Sequence, residues 1–249
     1  MKSQNKLLEL PINKLVFLTF LLLMTIWAGF ILIPALFGYA GGRYILDPAD
    51  FNVYFERGKW FLDNSVPLSE YPQVPTYLFG LNRLIASVFG IEIQRGVFIS
   101  LMSLEMTLVF LLAIYLLINM VPAEKKPLVS TMLLPTTLYF VLNRFDILPA
   151  CLCLLSLYFL KNKRVMLAMV FLAIATFTKW YPILLLPGFL IYTFGMDQKK
   201  TWKMLMWFLV TCLIIIIPTL IQGGISALLV PYQFHTQRGM EYFSFVVLI

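Results

Sequence analysis

Charge is scarce in this sequence: 12% of its 249 residues are Asp, Glu, Lys or Arg, against 61% hydrophobic, with a mean hydropathy of +0.87. So few charges cannot solvate a surface, which excludes a water-soluble globule. Histidine occurs once and cysteine three times. Cys151, Cys153 and Cys212 all lie inside apolar runs, where a thiol behaves as a small hydrophobe. Neither a disulfide framework nor a metal site is therefore expected. Zinc-ligand spacings, Walker loops and dinucleotide fingerprints are also missing, so no metal, nucleotide or other cofactor is implied. The strict alternation of barrel strands is absent, as are internal repeats and low-complexity tracts. The run from Leu15 to Phe37 lacks a small-residue cleavage pattern and is long enough to span, which reads as a retained first helix rather than a removed signal.

What is present is a series of helix-length apolar runs, and backbone groups in lipid must be satisfied within each segment. The fold class is all-α: a polytopic integral membrane protein, a bundle of about eight apolar helices, several of them short, with a long first outer loop. After Leu15–Phe37 come Val74–Gly90, expected as a re-entrant or surface helix, and the long span Val97–Val121. Leu128–Leu142, Ile147–Leu160, Val165–Phe177 and Ile183–Phe194 each fall below the roughly 20 residues of a comfortable crossing. Trp202–Gln222 is the last long run. The chain reads as a single transmembrane domain over residues 1–249, with residues 38–94 as the outer loop. The closing Phe245-Val246-Val247-Leu248-Ile249 reads as the opening of a further helix, so the domain is expected to be C-terminally incomplete.

The turns between the runs fall into two kinds. Ala123-Glu124-Lys125-Lys126, Lys161-Asn162-Lys163-Arg164 and Asp197-Gln198-Lys199-Lys200 are cationic anchors. Asn143-Arg144-Phe145-Asp146, Thr178-Lys179-Trp180-Tyr181-Pro182 and the segment His235–Glu241 mix acids, bases, amides and aromatics. If each short piece spans separately, eleven Lys or Arg fall on the inner side against three acids, and eight against eight on the outer side. The positive-inside rule then places the N-terminus in the cytoplasm, and in a prokaryote the membrane is the plasma membrane. The formal charge of +7 is dispersed in these turns with no basic stripe, so nucleic acid is not an expected partner.

The outer turns supply the candidate chemistry. Asp47 reads as the N-cap of a helix with Pro48 in its first position. Asp50 is either a general base at the bilayer boundary or a carboxylate favouring the helix dipole. Tyr54 lies one turn on. Phe51, Tyr54, Phe55, Phe61 and Leu62 form an apolar stripe, predicting a helix on the membrane surface. Glu70 and Tyr71 precede a proline; a solvated loop carboxylate is the alternative for Glu70. Arg144 and Asp146 share a tight turn and could neutralise each other, or they await a charged ligand. Lys179 could snorkel among interfacial aromatics. His235, Arg238 and Glu241 recur every three residues, sharing a face on a helix. A histidine beside an arginine suits a phosphate, with a His–Glu or Arg–Glu surface pair as the plainer reading. Glu105 is the one charge within a long span, as a transporter or lipid flippase would require; an inactive fragment or assembly subunit is a third possibility.

Asp50-Phe51-Asn52-Val53-Tyr54, Glu70-Tyr71-Pro72, Arg144-Phe145-Asp146-Ile147-Leu148-Pro149-Ala150, Lys179-Trp180-Tyr181-Pro182 and His235-Thr236-Gln237-Arg238-Gly239-Met240-Glu241 occur in an order that resembles one family. It is the polyprenol-phosphate-mannose-dependent mannosyltransferases of the GT87 type, also described as DUF2029, within the GT-C superfamily. The resemblance runs from about residue 14 to 244. It implies a hexosyltransferase, most simply for mannose, with a polyprenyl-phosphate sugar donor, a lipid or glycan acceptor and inversion at the anomeric carbon. By position it implies Asp50 as the catalytic base and His235 and Arg238 as ligands of the donor phosphate, with Lys179 and Arg144 at the same anionic site. Asp47, Tyr54, Glu70, Tyr71, Asp146 and Glu241 would support that site on the outer face.

Overall fold

The computed structural model describes residues 12–37, 48–63, 65, 69–195 and 197–237, and these are helical with connecting turns. The order is α1 (Ile12–Ile26), a π-helical stretch Trp27–Leu32, α2 (Ile33–Leu36), α3 (Pro48–Arg57) and a 3₁₀ turn Gly58–Phe61. Next come α4 (Gln73–Ser87), α5 (Ile91–Met120), a 3₁₀ stretch Ala123–Leu133 and α6 (Pro135–Asn143). The chain continues through α7 (Ile147–Lys161), α8 (Val165–Thr176), a 3₁₀ turn Tyr181–Leu184, α9 (Leu185–Phe194) and α10 (Gln198–Gln237).

Three of these helical stretches are long and apolar enough to cross a membrane: Val16–Leu36, Ile91–Met120 and the stretch beginning at Gln198. A fourth crossing arises only if α6 and α7, which meet at 102°, count as one broken span. Exposed leucine, isoleucine, phenylalanine and tryptophan side chains cover α1 and α10, the surface expected of helices facing lipid tails.

Helix α5 is the central post. Its small residues admit close neighbours: a Cβ built on Gly96 would lie 2.8 Å from the Ala35 Cβ, so α2 crosses α5 in near backbone contact. The Trp27 indole donates to the Ser100 carbonyl at 2.8 Å, a hydrogen bond between the first span and α5. On the other side the Ser103 hydroxyl donates to Leu142 O at 3.1 Å, fixing the end of α6. Lys161 Nζ donates to Met120 O at 3.1 Å, fixing the end of α7. These two ties are roughly seventeen residues apart on α5, about 26 Å at the helical rise, close to the thickness of a bilayer's hydrocarbon core. The mixed turn containing Arg144 therefore sits one membrane thickness from the lysine-rich turn at Lys161. The lysine-rich turns gather at that second end, where Lys163 and Lys200 line one small pocket.

Helices α7 and α8 form an antiparallel pair in which the Ser156 hydroxyl donates to Ala168 O at 2.6 Å. Ala168, Met169, Leu172 and Ala173 are fully buried and pack with Phe189, Met204 and Phe208, placing α8 between α7, α9 and α10.

Three expectations are corrected. The run Leu128–Leu142 is not one short span: Ala123–Leu133 is 3₁₀ and α6 follows after a break at Leu134. Pro127 and Pro135 lack the amide protons an α-helix needs there. The hydroxyls of Ser130 and Thr131 bond back to Pro127 O and Leu128 O, competing with the helical ladder. The stripe on α3 does not lie on lipid either. Phe51 and Tyr54 are buried in a core with Phe79, Phe98 and Phe145, although Phe61 and Leu62 remain exposed. Gly58 brings α3 that close to α4, since a Cβ there would meet Phe79 O at 2.5 Å. Finally, the last long run does not end its helix at Gln222: the chain stays helical to Gln237, redirected at Gly224, whose φ of 65° and ψ of −165° interrupt α10.

Candidate active site

Four segments distant in sequence meet around one open cleft of about 580 Å³, lined by Asp50, Val53, Glu70, Tyr71, Arg144, Phe234 and His235. Asp50 comes from the first turn of α3, Glu70 and Tyr71 from the loop before α4, Arg144 from the α6–α7 corner and His235 from the last turns of α10. Backbone hydrogen bonding helps to assemble it: Val74 N donates to Phe177 O at 3.0 Å, joining the Glu70-Tyr71-Pro72 loop to the turn that carries Lys179. Tyr77 donates to Ile215 O at 2.7 Å and shares a hydrogen bond with the Thr219 hydroxyl, pinning α4 to α10.

The floor is aromatic. Tyr54 stacks on Phe79 at 4.7 Å, and Phe145 meets Tyr54, Tyr71 and Phe79 edge to face at 5.1 to 5.7 Å. Each such contact is worth about 0.5–1.5 kcal/mol beyond area burial. Tyr54 thus supports the cleft from beneath rather than lining it. Burial pushes the Tyr71 hydroxyl up to about 12, with the Glu70 and Asp50 charges adding to the effect. Tyr54 is raised further by burial, then by Tyr71 and Asp50. Both phenols stay protonated at physiological pH, so neither serves as the base.

The ion pairs are crossed relative to the sequence expectation. Arg144 does not neutralise its neighbour Asp146: Arg144 Nη2 lies 2.9 Å from Asp50 Oδ2, and Lys179 pairs with Asp146. The backbone changes course between them, extended at Arg144 (φ −137°, ψ 147°) and helical at Asp146 (φ −60°, ψ −24°), and each side chain reaches a different partner. Asp50 Oδ2 is buried against the guanidinium. Lys179 does not simply snorkel; it is held by Asp146 with its ammonium 5.5 Å from the centre of the Phe145 ring. Nor is Glu70 a solvated loop carboxylate. Its side chain is 12% exposed and accepts from Arg57 Nε at 2.7 Å.

His235 is exposed and lies in α10, with Phe234 beside it in the cleft. Its position depends on the turn at Gly224 and on the Trp180–Tyr232 contact, with ring centroids 4.7 Å apart. Asp47, Arg238 and Glu241 lie outside the described residues. Sequence reasoning passed over Arg57, Val53 and Phe234. A signal existed for the first two, since Asp50, Val53 and Arg57 fall on one face of α3 at helical spacing.

Gly224 sets up one expected result. Its dihedrals lie in a region essentially confined to glycine, and no atom lies within 4 Å of where an alanine Cβ would sit, so Gly224→Ala costs backbone energy alone, about 1–3 kcal/mol. The turn can release that strain by opening while α10 below it keeps its packing, so the variant should unfold only a few degrees below the parental protein, at most about ten. Its activity should fall as His235 leaves the cleft; thermal unfolding and activity measured together check this.

The sequence pattern of glycosyltransferase family 87 matches residues 80–241, about two thirds of the chain. The matched stretch contains Arg144, Asp146, Lys179, His235, Arg238 and Glu241, and begins after Asp50, Glu70 and Tyr71. No curated protein and no solved structure matches. With its apolar helices and this match, the chain is a membrane glycosyltransferase and belongs to glycosyltransferase family 87.

Proposed function

We propose that the enzyme transfers a hexose, most simply mannose, from a polyprenyl-phosphate sugar to a hydroxyl of a lipid or glycan acceptor at the outer face of the membrane. The observation that carries this reading is the Asp50–Arg144 contact: a carboxylate paired with a guanidinium, both at an open cleft. In the proposed step the acceptor oxygen attacks the anomeric carbon while Asp50 takes its proton. The bond from that carbon to the phosphate oxygen breaks on the opposite face, the polyprenyl phosphate leaves with the electron pair, and the configuration inverts. A positioned base contributes about 10²–10⁴-fold.

The leaving phosphate gathers negative charge, and cations already in place stabilise it without reorganisation. Arg144, Lys179 and His235 are assigned that role, together with Arg238. Asp146 orients Lys179, Glu70 is held by Arg57, and Tyr54 and Tyr71 keep the floor rigid; Asp47 and Glu241 complete the proposed supporting set. The outer location is supported by the lysine-rich turns about one bilayer thickness away. Glu105, the charge that a transport path would use, accepts from Asn82 Nδ2 at 2.7 Å, between α4 and α5.

The test is donor choice. Purified protein is given polyprenyl-phosphate hexoses or nucleotide sugars with a lipid extract as acceptor, and products are read by intact mass. A hexose increment from polyprenyl-phosphate donors alone is expected. Transfer from a nucleotide sugar without any polyprenyl phosphate, or none from any lipid donor, would sink the reading.

A further inference from the structure

At the lysine-rich end, where α7 and α9 finish and α8 and α10 start, lies a cavity of about 50 Å³ lined by Leu160, Lys163, Val165, Tyr192, Thr193 and Lys200. A single water needs about 10–15 Å³, so there is room for a group of about four oxygens, the size of a phosphate. Lys163 comes from the turn after α7 and Lys200 from the first turn of α10, so two cations from separate elements line one space. The charges around them are already committed. Asp197 Oδ1 accepts from the amides of Lys199 at 2.9 Å and Lys200 at 3.4 Å, which caps the start of α10. Its other oxygen lies 4.0 Å from Lys200 Nζ, beyond a hydrogen bond. Lys163 forms no ion pair among the described residues. Two lysines therefore face one distant carboxylate, and the surplus positive charge suits an anion.

Among the described residues, Lys163 is also the only one other than glycine with a positive φ, 58°. The amide of Arg164 reaches back to Phe159 O at 2.9 Å and that of Lys163 to Leu160 O at 3.0 Å, the pair of bonds that closes a helix through a left-handed residue. Glycine is the residue such a position favours. A lysine there strains the backbone, and what the turn gains over glycine is a cationic side chain at the cavity. The remaining lining says which anion fits. Leu160, Val165 and Tyr192 give the cavity apolar walls, while Ile191 and Phe194, which flank Tyr192 and Thr193, and Trp202, two residues beyond Lys200, are exposed. A free phosphate has no use for that apolar surface. A phospholipid uses both, its phosphate in the cavity and its acyl chains on the exposed side chains.

We infer that the cavity between Lys163 and Lys200 binds the phosphate of an anionic phospholipid from the leaflet at the lysine-rich end, and that this lipid ties the α7–α8 turn to the start of α10. The cavity follows α7 and the cleft precedes it, so the site stands or falls apart from the donor assignment.

The experiment uses the full chain in detergent, with bound lipid counted by native mass spectrometry and unfolding followed by temperature. One phosphatidylglycerol should be retained per chain and raise the unfolding temperature by a few degrees; phosphatidylcholine and soluble glycerol phosphate at the same concentration should do neither. Lys163→Gly is the sharpest variant, because it removes the cation while giving the left-handed turn its preferred residue. Without lipid it should unfold at or above the parental temperature. Its Kd for phosphatidylglycerol should rise about tenfold, as for the loss of one hydrogen bond to a charged group. Lys200→Gln should weaken binding by a similar factor. Lys125→Gln removes the same charge from a lysine-rich turn outside the cavity and should leave the Kd unchanged. Equal losses in Lys125→Gln and Lys163→Gly would reduce the binding to diffuse attraction between a basic face and anionic lipid, and overturn the site. An unchanged Kd in Lys163→Gly or Lys200→Gln would do the same. Equal stabilisation by glycerol phosphate would make the cavity a pocket for a free anion and overturn the lipid assignment.

Discussion

Asp50→Asn is expected to lower the rate of transfer by about 10³-fold with the fold intact, the middle of the range for loss of a positioned general base. Asparagine matches aspartate in shape, so α3 keeps its place over Phe79 and Phe145, but the amide oxygen cannot hold the acceptor's proton. The kinetic signature separates this from a binding defect. Arg144 loses its carboxylate partner, and the nearby Glu70 is already engaged by Arg57. The guanidinium is left freer to meet a phosphate, so kcat should fall while the donor KM stays level or drops. A parental kcat would remove Asp50 from the mechanism. A raised donor KM with kcat unchanged would make it a binding residue.

Phe145→Ala carries the second large effect, and it acts through packing. Phe145 is 2% exposed and touches three aromatic rings beneath the cleft. Truncation of a buried phenylalanine costs about 3–5 kcal/mol. It should lower the unfolding temperature in detergent, and it should also abolish most activity. Arg144 and Asp146 flank Phe145 in the chain, so the ring fixes the spacing of the two ion pairs. Phe145→Leu keeps most of the volume and should recover most of both properties, since volume-conserving swaps usually cost under about 1.5 kcal/mol. Loss of activity in the alanine variant with no change in unfolding would contradict a packing role.

Much of the framework was legible because it rests on signals local in sequence. Helix-length apolar runs gave the all-helical membrane class, and Pro48 marked the start of α3 because its ring is preorganised for a first helical turn. The contrast between lysine-rich and mixed turns separated the residues that meet near the cleft from those that gather around Lys163 and Lys200. Legibility failed where the outcome depended on a neighbour far along the chain. Ion-pair partners are the plainest case: Arg144 and Asp146 are close in sequence, yet their partners Asp50 and Lys179 come from other segments. The same holds for Phe51 and Tyr54. Their spacing marks an apolar face, but periodicity does not say whether lipid or protein covers it. The stretch Ala123–Leu133 departed from the apolar-run reading because prolines and hydroxyls outweighed hydrophobicity in setting the backbone. His235 reached the cleft through the turn at Gly224, a conformation that a Gly-Gly pair permits but does not dictate.

The proposed pairing of Asp50 with the cations around Arg144 acts on a lipid-phosphate sugar in one cleft. Its most direct test is a single-turnover measurement with purified enzyme at saturating polyprenyl-phosphate mannose, following donor binding and sugar transfer in the same sample for the parental protein and Asp50→Asn. Equal donor binding with transfer lost by about 10³-fold in the variant is the predicted result. Transfer at the parental rate by Asp50→Asn would contradict the account.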